Sequence, residues 1–220
     1  MNTHSHCKYN TIMWDWNGTL FNDVNWCIEV LNTMLSKRGL ETVASVSEYH
    51  DVFCFPIIEY YKKVGFDFNK EPFEDLAVEF IELYHSNDTN KCKLFQSVEE
   101  VLSDIKKMGI TQVILSASKM NNLESQISNF DIKGYFDELL GLDDIYAVSK
   151  IAVGREYVIR NNISNAILIG DTVHDYEVAG AIGVDCILIP NGHQSKEKLM
   201  SCGVTVLNDI KDVPAYIMDV

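Results

Sequence analysis

Short apolar runs punctuate the chain at 11–14, 112–115, 166–169 and 185–189, with a weaker one at 138–142. Runs of this length, bounded by polar residues, predict buried β-strands, whereas helices need longer periodic stretches. Around the later runs, apolar residues recur at helical spacing over 98–108, 121–129, 155–161 and 175–181. This alternation predicts an α/β fold, a doubly wound parallel sheet with helices on both faces. In such a sheet, ligands bind at the C-terminal ends of the strands.

One stretch breaks the alternation. From 24 to about 93 the pattern is helical, with Trp26, Val30 and Met34 on one stripe and Leu76, Phe80 and Leu83 on another. Pro56, Gly65 and Pro72 cut this stretch into several short helices. The expected organisation is a core of 1–23 and 93–220 with an all-helical insert, 24–92, over the first strand's active end. The polar segment 86–90 is the expected return linker.

Composition narrows the possibilities. The chain has 220 residues, 47% of them hydrophobic, enough for one sizeable core and a smaller second one. A net charge of −14 argues against a nucleic-acid or anionic-membrane binder, both of which need a basic surface. Six cysteines without any Cys-x-x-Cys spacing suggest reduced thiols and no zinc site. No apolar run approaches the roughly 20 residues of a membrane span, and 1–10 lacks the apolar stretch of a signal peptide. A cytoplasmic monomer or homodimer is the expectation.

The candidate chemistry lies just beyond the strands. Asp15 follows the first run, Ser116 the second, and Asp171 the fourth, with Asp175 four residues later; Lys150 lies between the weak run and the next helix. In a parallel sheet these side chains converge on one crevice. Two or three carboxylates supply oxygen ligands for Mg²⁺. A hydroxyl and an ammonium then hold phosphate oxygens, and the ammonium offsets repulsion between the acids and an anionic substrate. Nucleophile, hard metal and phosphate clamp together describe phosphoryl transfer through an aspartyl-phosphate on Asp15.

Four segments in order carry a resemblance to a known family: Asp15-Trp16-Asn17-Gly18-Thr19-Leu20, Leu115-Ser116-Ala117-Ser118-Lys119, Val148-Ser149-Lys150, and Gly170-Asp171-Thr172-Val173-His174-Asp175. The chain resembles haloacid dehalogenase-like hydrolases with a helical cap and a Rossmann-like core, most of all the phosphoglycolate phosphatase-like and beta-phosphoglucomutase-like members. The resemblance implies a Mg²⁺-dependent phosphatase acting on a small phosphorylated metabolite. Asp15 would be nucleophile and metal ligand, and the Asn17 backbone carbonyl a further ligand. Ser116, Ala117 and Lys150 would hold the phosphoryl group, Asp171 would bind the metal, and Asp175 would support it.

Position 17 departs from the family pattern, in which a second acid protonates the leaving oxygen. Asn17 has no titratable carboxyl. General acid–base catalysis contributes roughly 10²–10⁴-fold, on the order of 3–5 kcal/mol of barrier. A slower phosphatase or one favouring good leaving groups remains the expectation, with His174 or a cap side chain as a substitute acid. A non-catalytic phosphate binder is the rival reading. Hydrolysis of carbon–phosphorus bonds, with Lys62 or Lys63 as the reactive lysine, or of carbon–halogen bonds ranks lower. Phe55, in Phe53-Cys54-Phe55-Pro56, is expected on a cap loop facing the site; Cys54 reads as a small buried residue and Trp16 as packing or as a lid over the site.

Overall fold

The computed structural model describes residues 7–86, 91–143 and 149–218. Strand β1 (Thr11–Trp14) leads through a tight turn into β2 (Phe21–Asn22), and four helices follow: α1 (Val24–Lys37), α2 (Val46–Val52), α3 (Ile57–Lys63) and α4 (Phe73–Ser86). The chain returns through β3 (Lys93–Leu94) to α5 (Val98–Lys107), β4 (Thr111–Lys119), α6 (Met120–Ile127) and β5 (Glu138–Leu142). It closes with α7 (Lys150–Arg160), β6 (Ala166–Gly170), α8 (Val173–Ile182), β7 (Asp185–Leu188), α9 (Lys196–Met200), β8 (Thr205–Val206) and α10 (Val213–Ile217).

Six of these strands form one parallel sheet in the order β5-β4-β1-β6-β7-β8. The chain winds one way from β1 through β4 to β5, then the other way from β6 to β8. The switch point therefore lies between β1 and β6, where a crevice opens beyond the strand ends. Alternate side chains of β1 serve opposite faces. Ile12 and Trp14 pack with Leu102 and Ile105 of α5, and Met13 packs with Tyr157 of α7 and Val178 of α8.

The helical cap has its own core. Leu31, Met34 and Leu35 of α1 pack against Tyr49, Tyr60, Tyr61 and Leu76, all buried. Full burial of such a side chain stabilises by about 1.5–3 kcal/mol relative to exposure, so four short helices hold together without leaning on the sheet alone. The antiparallel pair β2–β3 ties the points where the chain leaves the sheet and comes back.

The helical stretch is therefore framed by a two-residue strand at each end, which apolar periodicity does not reveal. The second parallel strand also runs on to Lys119, with a register shift between Leu115 and Lys119, so Ser116 lies inside β4 and not beyond it. Helix α7 begins at Lys150, five residues ahead of the predicted start. Gly154 lies inside this helix, where a Cβ would come within 2.9 Å of Leu115 on the sheet. Cys54 is half-buried where burial was expected. Of the expected linker, 87–90 lie outside the described residues. Among the described residues no helix is long and apolar enough to cross a membrane.

Candidate active site

Asp15 sits at the C-terminal end of β1, its amide still donating to the Ile169 carbonyl at 2.9 Å. The next residues close a tight loop in which the amides of Thr19, Leu20 and Phe21 all approach the Trp16 carbonyl. Gly18 takes φ +78° in that loop, and a Cβ there would fall 2.3 Å from Asp171 Oδ2. Both conformation and contact thus demand glycine. Trp16 anchors the loop from below, fully buried, stacked on Phe21 at 5.2 Å and donating to Gln126 Oε1 at 2.9 Å. Of the two expected roles it takes packing and not the lid.

The switch point brings the expected residues together. Asp15, Lys150, Asp171 and Asp175 are all buried, and oxygens of the three acids lie within 4.8 Å of one another. Lys150 Nζ donates to Asp15 Oδ1 and, at 2.6 Å, to Asp175 Oδ1. The other oxygen of Asp175 closes a capping box on α8, accepting from the Thr172 amide at 3.1 Å and hydroxyl at 2.6 Å. Asp175 thus fixes both the helix start and the lysine. Asp171 accepts from Thr19 Oγ1 at 3.1 Å and from the His193 amide at 2.6 Å. Ser116 is buried beside this group and its Oγ accepts from the Ser118 amide at 3.1 Å, while Ala117 is exposed on the rim.

Electrostatics follow from the burial. Desolvation pushes the Asp15 carboxyl up to about 8 against the pull of Lys150, with Asp175 and Asp171 pushing further. Burial likewise lifts Asp171 to about 6, although His193 opposes it. Asp175 goes the other way: burial would raise it, but Lys150 and Thr172 hold it below the usual carboxylate range. Lys150 is held above its ordinary value, since Asp15 and Asp175 outweigh its desolvation. The cluster is short of positive charge, and hard oxygen donors lacking a counter-charge suit a metal cation.

Asn17 is not idle. Its amide nitrogen donates to Asp23 Oδ2 at 2.8 Å and to Tyr84 Oη at 3.2 Å, and its oxygen accepts from Ser118 Oγ at 2.9 Å. Asp23 is buried, accepts from Tyr84 Oη at 2.7 Å, and faces His193 Nε2 at 3.3 Å. Burial would raise the Asp23 carboxyl, but His193, Tyr84 and Asn17 hold it low; burial would lower His193, but Asp23 lifts it to about 9. His193 Nδ1 meets Tyr49 Oη of the cap at 2.9 Å, and the neighbouring Gly192 carbonyl meets His50 Nε2 at 2.9 Å. Sequence patterning misses both Asp23 and His193. The one available signal is Asn191-Gly192-His193 just past the last long apolar run, another strand end on the same crevice.

Above the crevice a cavity of about 580 Å³ extends under the cap. Its walls include Phe55, half in solvent, whose ring stacks on His174 at 4.6 Å. The cap loop thus faces the site as expected. His174 lies at the cavity wall with Phe55 and Glu177 as its neighbours. Lys62 and Lys63 are exposed, and neither lines the cavity.

An acid-centred crevice at the switch point of a parallel sheet, roofed by an inserted helical cap, defines a capped α/β hydrolase. The chain matches the haloacid dehalogenase-like hydrolases over residues 12–189 and belongs to that family. It is 24% identical over 216 residues to the phosphoglycolate phosphatase of Caulobacter vibrioides, covering 93% of this chain and 89% of that protein. Two solved structures share the fold. A haloacid dehalogenase-like family hydrolase from Streptococcus pneumoniae superposes with a TM-score of 0.82 at 17% identity, over 95% of this chain and 98% of that one. A predicted phosphatase from Clostridium acetobutylicum gives 0.78 at 23% identity, with the same coverage.

Proposed function

We propose that the chain is a phosphomonoesterase that works through an aspartyl-phosphate on Asp15. The observation that carries this reading is the buried Asp15–Lys150–Asp175 arrangement beside Asp171 at the switch point. Asp15, the Asn17 carbonyl and Asp171 would hold Mg²⁺, with Asp175 in support; the three clustered carboxylates and their raised Asp15 and Asp171 pKa values fit a divalent cation. When bound, the ion supplies charge stabilisation to the transferring phosphoryl oxygens.

The residues divide the work. A carboxylate oxygen of Asp15 attacks phosphorus, and the bond to the leaving oxygen breaks. Lys150 aims that carboxylate and offsets the charge of the incoming phosphate, while Ser116 and the Ala117 backbone hold phosphoryl oxygens. The alkoxide or phenoxide departs and takes its proton from water, because Asn17 has none to give. Water then attacks the aspartyl-phosphate, releasing inorganic phosphate and restoring the carboxylate. The core of 1–23 and 93–220 carries this chemistry, and the cap of 24–92 opens for substrate and closes to exclude bulk water.

Phosphoglycolate is the substrate that the Caulobacter relative's name offers for test, but the core residues do not choose the leaving group. The reading is tested by phosphate release from 4-nitrophenyl phosphate with and without Mg²⁺. Release that needs both Mg²⁺ and Asp15 supports it. Release no greater than from folded Asp15→Ala sinks it and leaves a phosphate-binding homologue.

A further inference from the structure

We infer that the substrate is an aryl phosphate monoester, its leaving group an uncharged phenol-type ring lodged under the cap. This rests on the phosphomonoesterase reading and extends it to the half of the substrate that the core does not touch.

The first observation is the character of the cavity. At about 580 Å³ it is in the ordinary range for a ring-bearing ligand. The cap lines it with Phe53, Phe55, Tyr60, Phe73 and Phe80 and, among the described lining residues, contributes no lysine or arginine. Its one acid there is Glu74. A carboxylated leaving group such as that of phosphoglycolate would leave water for a wall of rings, near Glu74 and the acids of the floor. That costs desolvation and like-charge repulsion with no cation from the cap to offset them; the free-standing lysine of the lining, Lys119, lies on the exposed core rim and not against the rings. Several polar groups of the wall are already engaged. Tyr84 Oη is spent on Asp23, Tyr49 Oη on His193, and His85 Nε2 meets Asn122 at 2.8 Å. A ring, by contrast, gains edge-to-face contacts of the kind already present between Phe53 and Phe55, 5.5 Å apart at 82°.

The second observation is independent of the cavity. Asn17 cannot protonate the leaving oxygen, and its amide is bonded to Asp23, Tyr84 and Ser118. A phenol ionises near ~10, whereas water, and an alkanol like it, ionises near ~16. Phenoxide therefore leaves without a proton far more readily than an alkoxide, so the missing acid costs least for an aryl ester. Wall and floor point to the same class of leaving group.

Two measurements on the full-length protein in Mg²⁺ test this. In steady-state kinetics, kcat/KM for phenyl phosphate is expected to exceed that for n-butyl phosphate and 2-phosphoglycolate by at least about tenfold, and Phe55→Ala to lower the phenyl phosphate value mainly through KM. Equal or better use of n-butyl phosphate or 2-phosphoglycolate overturns the inference while leaving a phosphomonoesterase. In calorimetry, non-hydrolysable benzylphosphonate is expected to bind at least about tenfold tighter than 3-phosphonopropionate. The reverse order, equality, or no binding of either at millimolar concentration overturns it. Because calorimetry needs no turnover, it decides the inference even if no ester is hydrolysed and the phosphatase reading falls.

Discussion

The floor and the roof of the cavity are built on opposite principles. Below, four charged side chains are buried together, and each carboxylate or ammonium has a named partner. Above, the cap presents rings packed on rings, and its described share of the lining holds Glu74 but no lysine or arginine. The floor is assembled from the ends of three strands and the first turns of two helices, so its geometry follows from the sheet. The roof comes from short helices and the loop between them, where one substitution changes shape without touching the reaction. On the proposed function, reaction type belongs to the sheet and substrate choice to the insert.

The sharpest way to break this division is at the nucleophile. Asp15→Asn should cut kcat by roughly 10⁴-fold or more for every ester, about 5 kcal/mol of barrier, with the phosphonate affinities keeping their order. A substrate-dependent loss in initial rates would show that the floor also selects.

Next comes Lys150→Met, which leaves Asp15 and Asp175 buried without their shared cation. Removing one member of a buried ion pair costs about 3–5 kcal/mol. Urea denaturation should show a loss of that size, smaller when Mg²⁺ is added. A loss under 1 kcal/mol would mean the acids had relaxed into solvent.

The exchange Asn17→Asp with Asp23→Asn has a smaller effect and opposite sign. Asn17→Asp alone sets two carboxylates where 2.8 Å now separates amide from acid, so the pair holds one proton between them and the fold pays for it. The double exchange restores an acid–amide pair with the acid at position 17. It should speed n-butyl phosphate hydrolysis by roughly 10²-fold, the lower end of general acid catalysis, and phenyl phosphate far less. Equal acceleration of both esters in the same assay would count against leaving-group protonation as the missing step.

The smallest effect lies at the back of the cap, far from the floor. Arg38 donates to Glu71 and Glu79 and holds both carboxyls below their ordinary range; burial opposes this at Glu79. Depressed carboxyls stabilise the fold above their unfolded pKa, and that contribution is lost as pH falls through the folded values. Thermal unfolding of Arg38→Gln should therefore lie slightly below that of the parent at neutral pH, and the gap should close in acid. A gap that widens in acid would contradict the pairing.

Much of the floor was legible in the chain because each functional group directly follows or opens a regular element. Asp15 and Asp171 end fully apolar strands, and Lys150 and Asp175 sit in first helical turns, so local pattern and topology together place them. Asp23 and His193 were not legible. Asp23 precedes α1 without capping it, and its partners Tyr84 and His193 lie 61 and 170 residues further on, a closeness that only the folded chain creates. Strands β2, β3 and β8 escaped for a different reason: two residues have no periodicity to read. The character of the roof could be guessed from Phe53 and Phe55, but which rings meet above the crevice depends on how α2, α3 and α4 pack.

The Gly192–His193 segment joins two matters that are otherwise separate. Its His193 amide holds Asp171, its His193 ring holds Tyr49, and its Gly192 carbonyl meets His50. The cap and Asp171 are therefore fastened to the same two residues. Any movement of the cap away from the sheet would have to break the bonds to Tyr49 and His50, along with those of Tyr84 to Asp23, His85 to Asn122 and Lys198 to the Phe53 carbonyl. The segment gives cap and floor one shared fastening.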